Sequence, residues 1–182
     1  METVDDLRPL TLEDLKEMAS HCYATHIYLH WTAGRYSEIY PDYHLSIDYN
    51  GRIYAPYDNL DLNQYRQHTW LRNSNAVGIA LCGAYGAIAN HGYDADMGDY
   101  PITDAQIEAI SVVVAILCKY SGIPIENVLT HCEAALEDGY GPYSGDPETR
   151  WDLWYLRDSS DGQVKGGGDI IRGKALWYMN YY

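Results

Sequence analysis

The sequence predicts an α/β fold in which a central mixed β-sheet is flanked by α-helices. Runs of strand type alternate along the chain with helical segments, as at 26–30, 77–82 and 103–121, and this alternation is typical of α/β and mixed-sheet domains. A chain of 182 residues is long enough to bury one sizeable core. It contains no internal repeat and no long linker, so we expect 1–182 to form a single domain.

The first elements follow from local signals. Thr11, followed by acidic residues, is typical of a helix N-cap and predicts a helix that runs to about Ser20. An apolar strand is expected at 26–30. The segment 43–54 alternates polar and apolar residues around Asn50-Gly51, which is the strongest short hairpin signal, and therefore predicts a β-hairpin.

The second half of the chain continues the alternation. The apolar run 77–82 predicts a buried central strand. Thr103 caps the clearest helix, which ends near Gly122. Another short strand is expected at 128–130. The Gly- and Asp-rich segment from 158 to 169 predicts a loop, and the remaining residues to about 181 predict a closing helix, so that 158–182 forms a loop and a C-terminal helix.

Composition excludes several partners. The formal net charge of −14, with no basic run, argues against binding to nucleic acid or to anionic membranes. The longest apolar run is too short to span a bilayer, so no membrane insertion is expected. The acidic start of the chain lacks the pattern of a secretory signal, which predicts synthesis in the cytoplasm. The four cysteines show no CxxC spacing and are expected to be passive buried thiols.

The chain contains 19 tyrosines and no phenylalanine. One interpretation is that tyrosine replaces phenylalanine in the core and at its boundary, with the hydroxyl at the surface. The alternative is a tyrosine-lined groove for a polar polymer such as a glycan or a peptide.

Two histidines stand at the ends of predicted strands. His30 closes the run Ile27-Tyr28-Leu29-His30, and His131 follows Val128-Leu129-Thr130. A catalytic zinc ion takes three protein ligands, commonly two histidines and a carboxylate or thiolate. The third ligand is expected after His131, and Asp146 and Asp152 are both candidates. The alternative is that these are ordinary surface or core histidines, of which the chain has seven in total.

Five blocks in order resemble the type-2 family of zinc-dependent N-acetylmuramoyl-L-alanine amidases, which shares its fold with peptidoglycan recognition proteins. The resemblance covers about 27–153. The blocks are His30-Trp31-Thr32-Ala33-Gly34, Tyr43-His44 with its hairpin, His68 with the lead-in 72–83, Pro101-Ile102-Thr103-Asp104, and Thr130-His131-Cys132-Glu133. The segment 134–149 makes the interval after His131 longer than usual and is a candidate insertion over the groove.

The resemblance implies the site residues. His30, His131 and Asp152 would hold Zn²⁺, because Arg150-Trp151-Asp152 resembles the basic-x-Asp segment of the family; Asp146 remains the rival ligand. Tyr43 would hydrogen-bond the metal-bound water or the oxyanion, and Arg150 would stabilise the oxyanion. Glu133 would orient a ligand, the alternative being a solvated surface acid. The substrate would contact Trp31, His68 and Trp70.

The implied activity is zinc-dependent hydrolysis of the amide bond between N-acetylmuramic acid and L-alanine in peptidoglycan or muropeptides, which lyses cell walls. Peptidoglycan is the expected partner and a monomer the expected state. Such an enzyme acts on the cell wall after lysis or dedicated export. Two alternatives are a recognition module that binds peptidoglycan without cutting it, and a cytosolic amidase that recycles anhydromuropeptides. A filled set of three ligand positions favours an enzyme over the recognition module.

Overall fold

A computed structural model describes residues 1–89, 96–147 and 149–182. Five strands form the main sheet in the order β5-β4-β6-β2-β7, with β5 the antiparallel edge strand and the other four parallel. Two small antiparallel ribbons, β1-β3 and β8-β9, stand apart from it. The strands are β1 (Glu2–Thr3), β2 (His26–Trp31), β3 (Glu38–Ile39), β4 (Leu45–Ile47), β5 (Ile53–Tyr54), β6 (Ala76–Leu81), β7 (Val128–Thr130), β8 (Tyr155–Arg157) and β9 (Val164–Gly166).

The described residues contain four α-helices. They are α1 (Leu12–Ser20), α2 (Asp104–Ser121), α3 (His131–Asp138) and α4 (Gly167–Tyr178). The predicted mixed α/β fold is thus confirmed, with the run at 77–82 forming the middle strand of the sheet. No helix among these residues combines the length and apolarity needed to cross a membrane.

Successive side chains of strand β2 point to opposite faces of the sheet and so lie in two different environments. Ile27, Leu29 and Trp31 pack into the main core with residues of α1, α2 and α4. Tyr28 instead packs with Ala134 of α3. Because alternation places His30 on the same side as Tyr28, the face that carries α3 also carries this histidine.

The helix α2 is anchored to the sheet by its first turn. The Thr103 hydroxyl accepts a hydrogen bond from the Gln106 backbone N–H at 3.2 Å, as the N-cap prediction requires. The buried Gln106 amide then donates to the carbonyls of Ile47 and Cys82, at 3.0 and 2.9 Å. The helix ends at Gly122, whose φ of 76° is the left-handed conformation that glycine adopts readily. These contacts fix α2 across β4 and β6.

Two predictions for the C-terminal third were wrong. The segment expected as a loop at 158–169 contains strand β9, which pairs with β8, and α4 begins at Gly167 rather than near 171. The segment 134–149 begins with most of α3, a helix that was not predicted. Glycines at the start of α4 obscured where that helix begins, and α3 shows no clear apolar stripe that would have predicted it.

Candidate metal centre and groove

Three buried side chains meet where the parallel strands end. Nδ1 of His30 lies 3.1 Å from Nδ1 of His131 and 3.2 Å from Oδ2 of Asp152. Nδ1 of His131 lies 3.3 Å from the same carboxylate oxygen. Within the described part of the chain, these three residues form the group of side chains able to hold a metal ion. The structure therefore brings together the two predicted histidines and one of the two candidate aspartates.

The spacing of these three atoms fits one small cation. Ligand bonds of about 2.0–2.2 Å in a tetrahedron place neighbouring ligand atoms about 3.3–3.6 Å apart, close to the observed spacing. Burial lowers the pKa of His30 to about 4, so its imidazole is neutral near pH 7. Burial alone would raise the pKa of Asp152, but electrostatic attraction and a hydrogen bond from His131, together with a hydrogen bond from His30, hold it below its usual value. Neutral imidazole and ionised carboxylate are the forms that bind metals.

His131 reaches the cluster from a helix and not from a strand. It is the first residue of α3, directly after the N-cap Thr130, so the prediction of a strand-end position was off by one element. The Thr130 hydroxyl accepts from the Glu133 N–H at 3.1 Å. The Glu133 carboxylate accepts from the Thr130 N–H at 2.8 Å and closes the capping box. The neighbouring Cys132 is buried, and burial raises the pKa of its thiol to about 12.

Thr69, which was not among the predicted residues, contacts His30 from the other side of the ring. Its hydroxyl lies 3.3 Å from Nε2 of His30 and 3.0 Å from Nδ1 of His68. Nε2–H of His30 donating to Thr69 leaves the Nδ1 lone pair directed at the cluster. The Asn73 side chain fixes this loop by accepting from the backbone N–H groups of His68 and Thr69, at 3.0 and 2.7 Å.

An open groove of about 720 Å³ lies beside the cluster. Trp70 stands on its wall with 61% of its surface exposed. The Trp70 ring meets Tyr140 edge-to-face at 5.5 Å between centroids, and Tyr140 in turn lies 6.3 Å from the ring of His131. Tyr140 was not among the predicted residues. Arg150 and Asp146 are exposed residues that also line the groove.

Tyr43 lies against the cluster from the hairpin side. Its ring centroid is 5.1 Å from that of His30. Burial, followed by the negative charge of Asp152, raises the pKa of Tyr43 well above its ordinary value. The phenol therefore stays protonated at all physiological pH values and can donate a hydrogen bond.

The other predicted residues differ in how near they lie to the groove and the cluster. The Glu133 carboxylate is directed at Arg172 of α4, with two contacts of 2.8 Å. Trp31 is 7% exposed and packs edge-to-face on Trp151 in the core, a position that argues against contact with a substrate. His68 lines the groove but is buried, with its ring 5.4 Å from that of His30.

The family model described as N-acetylmuramoyl-L-alanine amidase matches residues 18–147. That range includes His30 and His131 and ends before Arg150 and Asp152. No curated protein matches the chain significantly.

Two solved structures are similar to this chain at 18% identity and a TM-score of 0.42. They are the endolysin N-acetylmuramoyl-L-alanine amidase LysCS and the amidase LysC, both from Clostridium intestinale URNW. Each similarity covers 62% of this chain, with 71% of LysCS and 72% of LysC. Since the family model covers well over half of the residues, the chain belongs to the N-acetylmuramoyl-L-alanine amidase family, enzymes that hydrolyse the amide bond between N-acetylmuramic acid and L-alanine in bacterial cell walls.

Proposed function

We propose that this chain cleaves the lactyl–alanine amide of peptidoglycan with a single Zn²⁺ held by His30, His131 and Asp152. The observation that carries the proposal is the triangle of ligand atoms, 3.1 to 3.3 Å on each side, buried beside an open groove. All three ligands come from one chain, so the proposed centre is complete without a second copy. The filled ligand set favours an enzyme over a recognition module that only binds.

A bound Zn²⁺ would supply a Lewis acid that polarises the amide carbonyl and lowers the pKa of water. The protein's own residues prepare this site. Thr69 selects the tautomer of His30, and burial keeps that imidazole neutral. Asp152 contributes the negative charge that a divalent cation requires. The open groove at Trp70 leaves one side of the cluster accessible to substrate.

Two residues would stabilise the charge that develops on the amide oxygen. The protonated Tyr43 hydroxyl would donate a hydrogen bond to that oxygen. The Arg150 guanidinium stays charged at neutral pH, so its role is electrostatic and not proton transfer. When water adds to the carbonyl carbon and the C–N bond breaks, the products are a lactyl carboxylate and the free amine of L-alanine.

The shape of the groove favours a polymeric substrate. It is open to solvent, and exposed Trp70 offers a flat face on which a sugar ring can pack. A polymeric substrate places the proposed reaction at the cell wall. Cleavage confined to small anhydromuropeptides would place it instead in cytoplasmic recycling.

The test combines substrate and metal. Purified protein is incubated with intact sacculi and with soluble anhydromuropeptide, before and after chelation, and products are identified by mass. We expect release of stem peptides from sacculi, loss of activity after chelation and recovery when Zn²⁺ is returned. Binding to sacculi without product would favour a recognition module, and activity that survives removal of all metal would contradict the proposal.

Two histidine variants distinguish loss of the metal site from a general effect of replacing a histidine. His131→Ala is expected to abolish both bound zinc and turnover. His21→Ala changes an exposed histidine at the end of α1 and should preserve both. Equal activity in the two variants would contradict the assigned ligand.

A further inference from the structure

An ion-pair clamp joins the C-terminal helix to the segment that carries His131. Arg172 of α4 contacts both carboxylate oxygens of Glu133, Nη1 with Oε2 and Nη2 with Oε1, each at 2.8 Å. Nη1 also donates to the carbonyl of Val128 at 2.9 Å. One guanidinium therefore holds the last strand before the metal centre and the first turn of the helix after it.

The geometry of the clamp bears directly on His131. The Glu133 oxygen that accepts from the Thr130 N–H is the same Oε2 that meets Arg172. Thr130 and Glu133 form the capping box of α3, and His131 lies between them as the first helical residue. Paired carboxylate–guanidinium contacts are strong and directional. Any shift of Glu133 would therefore be transmitted to the backbone that aims the His131 ring.

Gly168 makes room for this clamp. A methyl group at Gly168 would lie 2.7 Å from Nη1 of Arg172 and closer still to both oxygens of Glu133. The three atoms nearest to such a methyl group all belong to the side chains of the clamp. Gly173, in the same helix, has open space where a methyl group would be.

We propose that Arg172 is a positioning residue for the metal centre, acting through Glu133 to hold His131 in ligand geometry. The inference deepens the proposed function and rests on it. It replaces the expectation that Glu133 itself orients a ligand by contact with it. Residues that orient metal ligands without touching the ion commonly change metal affinity 10–100-fold when mutated.

The chain provides close controls for both substitutions. Lys174, on the same helix, pairs with Glu108 at 2.6 Å and has 18% of its side chain exposed, against 19% for Arg172. Lys174→Ala thus removes a comparable ion pair that is not connected to α3. Gly173→Ala matches Gly168→Ala in chemistry and helix, without contact with the clamp.

The experiment measures Zn²⁺ affinity of metal-free, folded protein by competition with a chromophoric chelator, together with the thermal midpoint of each variant. We expect Arg172→Ala and Gly168→Ala to bind Zn²⁺ about tenfold more weakly or worse. Arg172→Lys, which keeps one charge but not the paired contact, should be intermediate. Lys174→Ala and Gly173→Ala should stay within about twofold of the parent, and saturating Zn²⁺ should restore turnover to Arg172→Ala.

The possible failures are distinguishable. If the parent binds Zn²⁺ and cleaves sacculi while Arg172→Ala and Gly168→Ala bind it equally well, the clamp is only structural and this inference is overturned alone. The same holds if affinity merely follows thermal stability across all variants, including Lys174→Ala. A parent that binds no Zn²⁺ would overturn the proposed function together with the clamp. If Arg172→Ala does not fold, Gly168→Ala and Arg172→Lys decide the question.

Discussion

The Thr69 hydroxyl lies 3.3 Å from Nε2 of His30, on the side of the ring opposite to the metal cluster. This contact sets the tautomer of His30 and limits rotation of the ring. It also connects the cluster to the loop that bears Trp70, because Thr69 and Trp70 are neighbours in sequence. One short segment thus contacts the candidate ligand His30 and also forms part of the groove wall.

Replacing Thr69 tests this relationship. Thr69→Ala removes the hydroxyl and should weaken Zn²⁺ binding about 10-fold or more, because His30 loses its orienting acceptor. Thr69→Ser keeps the hydroxyl and should remain close to the parent. Competition with a zinc-binding dye measures both affinities. Equal affinities for the alanine and serine variants would show that the hydroxyl has no such role.

The metal content of two variants decides whether Asp152 or Asp146 is the third ligand. Asp152→Asn should lose stoichiometric zinc, because its carboxylate lies 3.2 and 3.3 Å from the two imidazole nitrogens. Asp146→Asn should retain the metal, since Asp146 is exposed in the groove and outside the cluster. Elemental analysis of the purified variants gives the answer. Loss of zinc from the Asp146 variant alone would reverse the assignment.

Replacing Arg150 is expected to lower the catalytic rate without changing the zinc content. Arg150→Ala should keep its zinc and lower kcat about 100-fold, the effect of removing one group that stabilises an oxyanion. Arg150→Lys keeps the charge and should lose less. Steady-state kinetics on a defined muropeptide, with metal content measured in parallel, tests this role. A normal kcat in the alanine variant would refute it.

Trp70 is expected to contribute to substrate binding. Trp70→Ala should raise KM with little change in kcat, because it removes a packing surface that is remote from bond breaking. Trp177→Ala is the matched control, since Trp177 is 56% exposed and lies outside the groove. If both variants show the same KM on sacculi, the proposed groove does not bind the glycan.

The buried His44 makes stability depend on pH. Its Nδ1 accepts from the Gly78 N–H at 3.0 Å, its Nε2 donates to the Gln64 carbonyl at 2.6 Å, and burial lowers its pKa to about 4. The unfolded chain, with an ordinary histidine pKa of about 6.5, binds a proton first as pH falls. The contribution of neutral, buried His44 to the stability of the folded state is therefore complete above about pH 6.5 and is lost between about pH 6.5 and pH 4.

Urea unfolding at pH 7 and pH 5 measures this effect. The His44 contribution to the free energy of unfolding should fall by about 2 kcal/mol between the two values. His44→Asn retains an acceptor for Gly78 but does not titrate, so its stability should decline less than that of the parent. Parallel declines in the two proteins would show that other groups determine the acid sensitivity.

Much of the candidate site could be predicted from the sequence, and the differences between prediction and structure have specific causes. His30 was found because an apolar run ends in an imidazole. Trp31 was assigned to the substrate although it is the next residue in the same strand. Successive strand side chains point to opposite faces, so a ligand at 30 places residue 31 in the core. The alternation that directs the side chain of residue 30 towards the cluster therefore directs that of residue 31 away from it.

Other features of the candidate site depend on tertiary contacts that local sequence patterns do not predict. Thr69 is one of many polar loop residues, and its importance appears only once β2 brings His30 beside it. The partner of Glu133 is Arg172, 39 residues away on a helix that the sequence predicted to start later. Sequence spacing identified Glu133, but it could not show that its carboxylate turns towards α4 rather than towards the cluster.

The ligand triangle also has a mechanical consequence. His131 and Asp152 are 101 and 122 residues from His30 along the chain, and all four cysteines are unpaired. An ion bound by these residues would close loops longer than most disulfides do, and closing long loops restricts the unfolded chain strongly. The cation would then serve as a removable cross-link, so that a chelator would lower the stability of the fold as well as abolish the activity.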